Sequence, residues 1–188
     1  MADSPGKPHD HDLLGSTASA PADRLITNPR VRSRLMKRLV MNPSDTGQFS
    51  RIARGLNFFA TMNLSMLEAV LQGLGLFAFE RGEKVCVQGG AGDSFFVIQE
   101  GTLSVSSKNG VLSFQKHVAV LEEGDCFGEM ALLRQTPRNA TVACTTPSRL
   151  FVLPAQHFQT VVDQNPAFAA ELRSLATLRQ LELNHRYG

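Results

Sequence analysis

Apolar positions change their spacing twice along this chain. From 25 to 56, Val31, Leu35, Leu39 and Val40 recur at helical intervals and Pro29 suits a first helical turn, so a helical segment is expected there. A second helix is expected to start at Asn63, a good N-cap residue. It carries Leu64, Leu67, Val70, Leu71 and Leu74 on one side and ends near Gly73 to Gly75. After Phe79 the texture turns to short β-rich runs: KVCVQ, SFFVIQ, TLSVSS, VLSFQ, VAVLE, TVAC and RLFVLP. Turn residues such as Arg81-Gly82-Glu83, Gly89-Gly90-Ala91-Gly92-Asp93 and Glu123-Gly124-Asp125 separate them. Short strands at even spacing predict a closed antiparallel β-roll of the jelly-roll type, with about eight strands. Asn109-Gly110 is a hairpin signal within it. Helical spacing then returns: Pro154 suits an N1 position before Phe158, Val161 and Val162. A further segment after Pro166 carries Phe168, Leu172, Leu175, and Leu178 or Arg179. The expected class is α+β, in the order helices, β-roll, short cassette helix, helices.

Composition adds boundaries. Residues 1–24 are rich in Pro, Gly, Ser, Ala and Asp without apolar periodicity and read as a disordered tail, in which His9 and His11 are solvated polar groups rather than metal ligands. A basic helical segment over 25–57 and a main domain over 58–188 complete the division. With 43% hydrophobic residues in 188, the chain can build a core. No stretch approaches the ~18 consecutive apolar residues of a membrane span, and the first thirty residues lack a secretory pattern. A cytoplasmic protein is expected. Cys86, Cys126 and Cys144 form no C-x-x-C pair, which suggests neither a disulfide framework nor a zinc site. A formal charge of +2 excludes bulk electrostatics as the main function. Arg24, Arg30, Arg32, Arg34, Lys37 and Arg38 lie close together with no acidic residue among them. They read either as a solvated face or as a face for an acidic partner or lipid headgroup. No aromatic residue interleaves with them, which weakens a nucleic-acid reading.

One stretch breaks the β rhythm: FGEMALLRQTPRNATV, at 127–142. It reads as a short helix over 129–133 and a turn at Pro137. So short a helix is marginal alone, but its first N–H groups have no intrahelical partners and attract an anion. Arg138 can return to the same place and offer a planar fork that matches two phosphate oxygens. Glu129 would repel a bare phosphate. A sugar-borne phosphate removes the conflict, because a carboxylate accepts from a ribose 2′-hydroxyl. There is no P-loop, which argues against a polyphosphate.

The stretch resembles the phosphate-binding cassette of the cyclic-nucleotide-binding domain family, F-G-E-[LIM]-A-L-L followed by P-R-x-A-[TS]-V. The upstream pattern G-x-x-[GD]-D-x-[FY]-[FY]-[IV]-[IV]-x-x-G-x-[LV]-x-V is similar too, running here from Gly89 to Val105. The resemblance covers about 59–183 and implies specific roles. Gly128 and Glu129 would hold the ribose 2′-hydroxyl. Backbone N–H groups of Met130, Ala131 and Asn139 would face the cyclic phosphate and Arg138 would pair with its oxygens, with Phe127 and Ala140 flanking the same ligand site. Strands near Val85 to Val87 and Val97 would wall the purine. The tail most resembles the cytoplasmic domain of bacterial cyclic-nucleotide-gated potassium channels, in which a C-terminal-helix arginine covers the base. The matching position is Arg179, where a stacked guanidinium is worth roughly 0.5 to 2 kcal/mol; the alternative is a solvent-facing helix residue. Asn139 stands where Ala, Ser or Thr is commoner in the family, and its amide can read a guanine edge, touch phosphate or face solvent. The reading leans to cAMP over cGMP.

The expectation is a sensor without catalytic residues, metal or cofactor, binding cAMP or cGMP and coupling capture to movement of its helices. Its partner would be an effector or channel domain, in this or another chain, with no nucleic acid and no membrane span. Glu129 and Arg138 argue for a ligand, since an unpaired pair beside a buried crevice is costly. Three rivals are weaker. A jelly-roll metal enzyme needs a ligand cluster, and the β region holds only His117. A DNA-binding regulator needs a helix-turn-helix, and about twenty residues after Pro166 suffice only for one long helix. A nucleotide-independent interaction domain would keep the fold and use the basic N-terminal helix.

Overall fold

The structure, a computed structural model, describes residues 37–56, 59, 62–108 and 114–185. Strand β1 (Lys37–Leu39) leads into helices α1 (Pro43–Gly55) and α2 (Leu64–Gly73). Six strands follow: β2 (Gly75–Phe79), β3 (Lys84–Cys86), β4 (Ser94–Glu100), β5 (Leu103–Ser107), β6 (Lys116–Leu121) and β7 (Cys126–Phe127). Helix α3 (Glu129–Arg134) precedes β8 (Thr141–Cys144) and β9 (Ser148–Pro154), and α4 (Ala155–Gln164) and α5 (Pro166–His185) come last. The strands pair antiparallel in two sheets, ordered β1-β2-β9-β4-β7 and β3-β8-β5-β6. This is the expected α+β β-roll flanked by helices.

The central strands explain why their sequences do not alternate. In β4, Phe95 and Val97 enter one core with Phe151, Leu153, Phe158 and Phe168, against the helices. Phe96 and Ile98 enter a second core with Leu103, Phe127, Leu150 and Val152, between the sheets. Both faces are covered, so apolar residues stand at every step. Phe49 of α1 meets Phe151 edge-on, with centroids 5.2 Å apart, and Phe59 meets Phe168 at 5.5 Å. Such pairs add about 0.5–1.5 kcal/mol each beyond burial, and they seat α1 and α5 on one face of the roll.

Several local expectations are corrected. Lys37, Arg38 and Leu39 are not helical; they pair with Ala78, Phe77 and Leu76 of β2. Pro43 disfavours helix at the residue before it, and Asn42 caps α1 in a reciprocal box with Asp45, so the helix starts at Pro43 and Val40 is left 94% exposed. Strand β2 begins at Gly75, inside the span where only a helix end was expected, and β7 is an additional strand. Pro154 closes β9 and stands at the N-cap of α4 rather than at N1. Phe114 and Gln115, from the expected VLSFQ strand, belong to no strand. The 1–24 tail, the helical pattern before residue 37 and Asn109-Gly110 lie outside the described residues.

Candidate functional site

Arg138 is fixed from both backbone and side chain. Its N–H donates to the Gly90 carbonyl and its carbonyl accepts from Gly89 N–H, both at 2.8 Å. The glycine loop before β4 is therefore clamped to the loop after α3, and Gly89 takes the φ of +80° that this turn needs. The guanidinium lies 4% exposed beneath the cassette. Nη1 donates to the Gly128 carbonyl at 3.0 Å; Nη2 donates to Ser94 O at 2.7 Å and to Asp93 Oδ1 at 3.1 Å. The Phe96 ring, stacked on Phe127, supports Cζ from 5.5 Å. Nε is buried and has no hydrogen-bond partner among the described residues, so this N–H of a fixed cation is left unsatisfied there. Gly128 permits the arrangement. Its φ is +94°, and a Cβ there would lie 2.7 Å from Arg138 Nη1 and 2.9 Å from Ser94 O.

Helix α3 places Glu129 at its first position, 1% exposed. A carboxylate so deeply buried needs a charged or multiply donating partner, and Arg179 Nη1 of α5 supplies it at 2.8 Å. Burial acts to lower the Arg179 pKa, but the Glu129 charge, together with Cys126 and the hydrogen bonds to both, raises it above its ordinary value. Cys126 touches the same pair; burial first, then Glu129, pushes its thiol up to about 12. The next α5 residue, Gln180, accepts through Oε1 from Arg134 Nη1 at 3.1 Å and from Asn139 Nδ2 at 3.4 Å. Asn139 Nδ2 also lies 3.8 Å from Met130 Sδ.

Phe127, Gly128, Glu129, Met130, Ala131, Arg138, Asn139, Ala140 and Arg179, the residues singled out from sequence, all line one cavity of about 300 Å³, a volume at the small end of ligand pockets. Its remaining wall was read only in part: Cys86, within the expected stretch Val85 to Val87, lines it, but the Val97 strand does not. Val97 belongs to the core against the helices, and the apolar lining comes from Cys86, Val105, Val118, Val120, Leu121 and Val142 on β3, β5, β6 and β8. Alternation along β5 and β6 was the available signal, but which face turned inward depended on pairing. Asp93 was quoted within the upstream pattern without a role, and Glu182 and Leu183 of α5 reach the cavity as well. Nor do Glu129 and Arg138 stand unpaired, as the sequence argument assumed. Both find partners within the chain, so their presence alone does not demand a ligand.

Among the described residues no helix is long and apolar enough to cross a membrane. Residues 76–165 match the family described as cyclic nucleotide-binding domain. A cGMP-dependent protein kinase of Toxoplasma gondii is 31% identical over 127 residues, 66% of this chain and 12% of the kinase. Two solved structures share the fold. The regulatory domain of Toxoplasma gondii PKA with cAMP aligns with a TM-score of 0.63 and 20% identity, over 70% of this chain and 50% of that one. The catabolite activator protein of Thermus thermophilus aligns with a TM-score of 0.60 and 20% identity, over 69% of this chain and 61% of that one. This chain thus spans only part of each.

Proposed function

Because residues 76–165 belong to the cyclic nucleotide-binding domain family, we propose that this chain is a cytoplasmic sensor that binds cAMP in preference to cGMP and moves its C-terminal helix in response. The observation that carries the reading is the convergence of Arg138, with its unpartnered Nε, and Glu129 on one cavity. Phosphate oxygens take up the guanidinium of Arg138 and the first N–H groups of α3, with Asn139 N–H beside them. Glu129 accepts from the ribose 2′-hydroxyl. The purine lies against Val105, Val118 and Val120, and Arg179 covers its outer face. Asn139 is neutral and presents its amide to Met130 and Gln180, which offers no hydroxyl to a guanine and supports the lean to cAMP. No catalytic group, metal or further cofactor takes part. The output passes through α5 to an effector or channel domain, in this chain or another.

A second reading has one observation in its favour. Arg138 already has Asp93 and the Gly128 and Ser94 carbonyls as acceptors, and Glu129 already has the Arg179 guanidinium, so the fold is compatible with a nucleotide-independent interaction domain. Calorimetric titration with cAMP and cGMP side by side separates the two. Saturable heat, with the smaller Kd for cAMP, is expected; no heat from either nucleotide rejects the sensor reading.

A further inference from the structure

Helix α5 carries apolar side chains on two sides. Phe168, Ala169, Leu172 and Ala176, at 0–3% exposure, form the side that enters the core. Leu178 and Leu181 stand away from it, one turn apart, and are 60% and 59% exposed. Helical spacing puts Glu171 and Glu182 beside them, seven residues before Leu178 and four after it, and both are exposed. The arginines of α5 lie elsewhere. Arg179 turns inward to Glu129, and Arg173, five positions before Leu178, falls on a different side of the helix. The outer face therefore combines two leucines with two carboxylates. A helix that is apolar on both sides is ordinarily covered on both, yet among the described residues Leu178 and Leu181 have little over them.

We infer that residues 25–36 of this same chain cover that face. Their sequence, LITNPRVRSRLM, is its chemical complement. Arg30, Arg32 and Arg34 supply cations with no acidic residue among them, against Glu171 and Glu182. Leu25, Ile26, Val31, Leu35 and Met36 supply apolar area against Leu178 and Leu181. The chain also reaches. The segment leads into β1 at Lys37, and Leu39 and Met41 pack against the same core as Leu175 of α5. Twelve extended residues span at most about 40 Å, and a helix of the length of α5 measures about 30 Å, so the segment can run along all of it. Exposed ion pairs are individually weak, so the leucines hold the segment and the charges set its direction. Covered in this way, the second half of α5 is gripped from two sides, by Glu129 and Asn139 beneath and by the basic segment outside. The inference stands apart from the nucleotide reading, because Glu171, Leu178 and Leu181 do not line the cavity.

Paramagnetic broadening in the full chain, without nucleotide, tests this. The native cysteines are buried, so a nitroxide can be placed at Val31→Cys alone. At low salt, where charge pairing is least screened, it is expected to remove roughly half or more of the amide signal over 174–182. Unaffected signals overturn the docking. Leu178→Lys alters only an exposed side chain and is expected to abolish the broadening; broadening that survives it overturns the assignment of this face. Glu171→Lys should weaken the effect, and adding Arg32→Glu with Arg34→Glu should restore it; equal broadening in all of them overturns the charge pairing. Two further arms separate other occupants. Spin-labelled chain is mixed with isotope-labelled chain that carries no nitroxide, and broadening at full strength between chains overturns the contact within one chain in favour of a second copy. Vesicles containing phosphatidylserine are then added to the labelled protein. Capture of the nitroxide by the vesicles, with the α5 signals never broadened, overturns the docking in favour of a lipid surface.

Discussion

Arg138 ties the cassette together and, in the proposed binding mode, also meets the phosphate, so its substitution should show both. In the proposed binding mode, Arg138→Ala strands the phosphate charge in a buried site, and an expected loss of about 2–5 kcal/mol in cyclic nucleotide affinity follows. It also leaves the Gly128 and Ser94 carbonyls without their donors, so a drop in unfolding free energy of about 1–3 kcal/mol is expected. Calorimetry and denaturant unfolding measure the two separately; undiminished affinity refutes the phosphate assignment. Glu129→Gln should cost less, and the variant should scarcely distinguish cAMP from its 2′-deoxy form. Strong residual discrimination in competition binding would remove Glu129 from the ribose. Cys86, Cys126 and Cys144 are buried free thiols. Burial raises all three, Cys144 to about 11 and Cys126 to about 12. With so little thiolate, a disulfide reagent at pH 8 should label none of them until the chain unfolds; rapid labelling of native protein contradicts that burial.

At the scale of elements, α1 is tied to the roll by a buried carboxylate as well as by Phe49. Asp45 is 4% exposed; it accepts from Asn42 N–H within the capping box, from Gln99 Nε2 at 2.7 Å and from Arg149 Nη2 at 3.1 Å. The Asn42 backbone bond, then Gln99, hold its pKa below the ordinary carboxylate value, against burial. The folded pKa is depressed, so this contribution is complete above the unfolded value of about 4 and is lost as pH falls from there through the folded value. Asp45→Asn should therefore flatten the acid limb of the stability profile, read from urea midpoints below about pH 4. An unchanged limb would mean that Asp45 does not titrate on unfolding. Replacing it with Ala removes a capping partner too, for a further loss of about 0.5–2 kcal/mol.

For the whole molecule, binding to the native state alone raises stability by about 2.7 kcal/mol at a hundredfold excess over Kd. For a chain of this size that is a rise of roughly 5–10 °C in Tm. Scanning calorimetry should show it with cAMP, less with cGMP at equal concentration, and not at all in Arg138→Ala. Equal shifts from both nucleotides would remove the base preference while leaving the site in place.

The sequence by itself determined whatever depends on neighbours in the chain. The cassette could be read because Gly128, Glu129 and Arg138 stand in a single stretch, with a glycine whose positive φ and a short helix fix their relative placement locally. Strands β4, β8 and β9 were visible for a similar reason: their runs of branched and aromatic residues fit a pleated surface. Tertiary structure decided the rest, because the deciding partners are remote. Lys37 to Leu39 have a helical spacing and become a strand only because the edge of β2 is open to them. Asp93 reaches Arg138 across 45 positions, and Arg179 reaches Glu129 across 50. A periodic pattern shows which face of a helix is apolar. It does not show that α5 beyond Ala176 meets the cassette through Arg179 and Gln180, since that follows from which residues the roll brings beneath it.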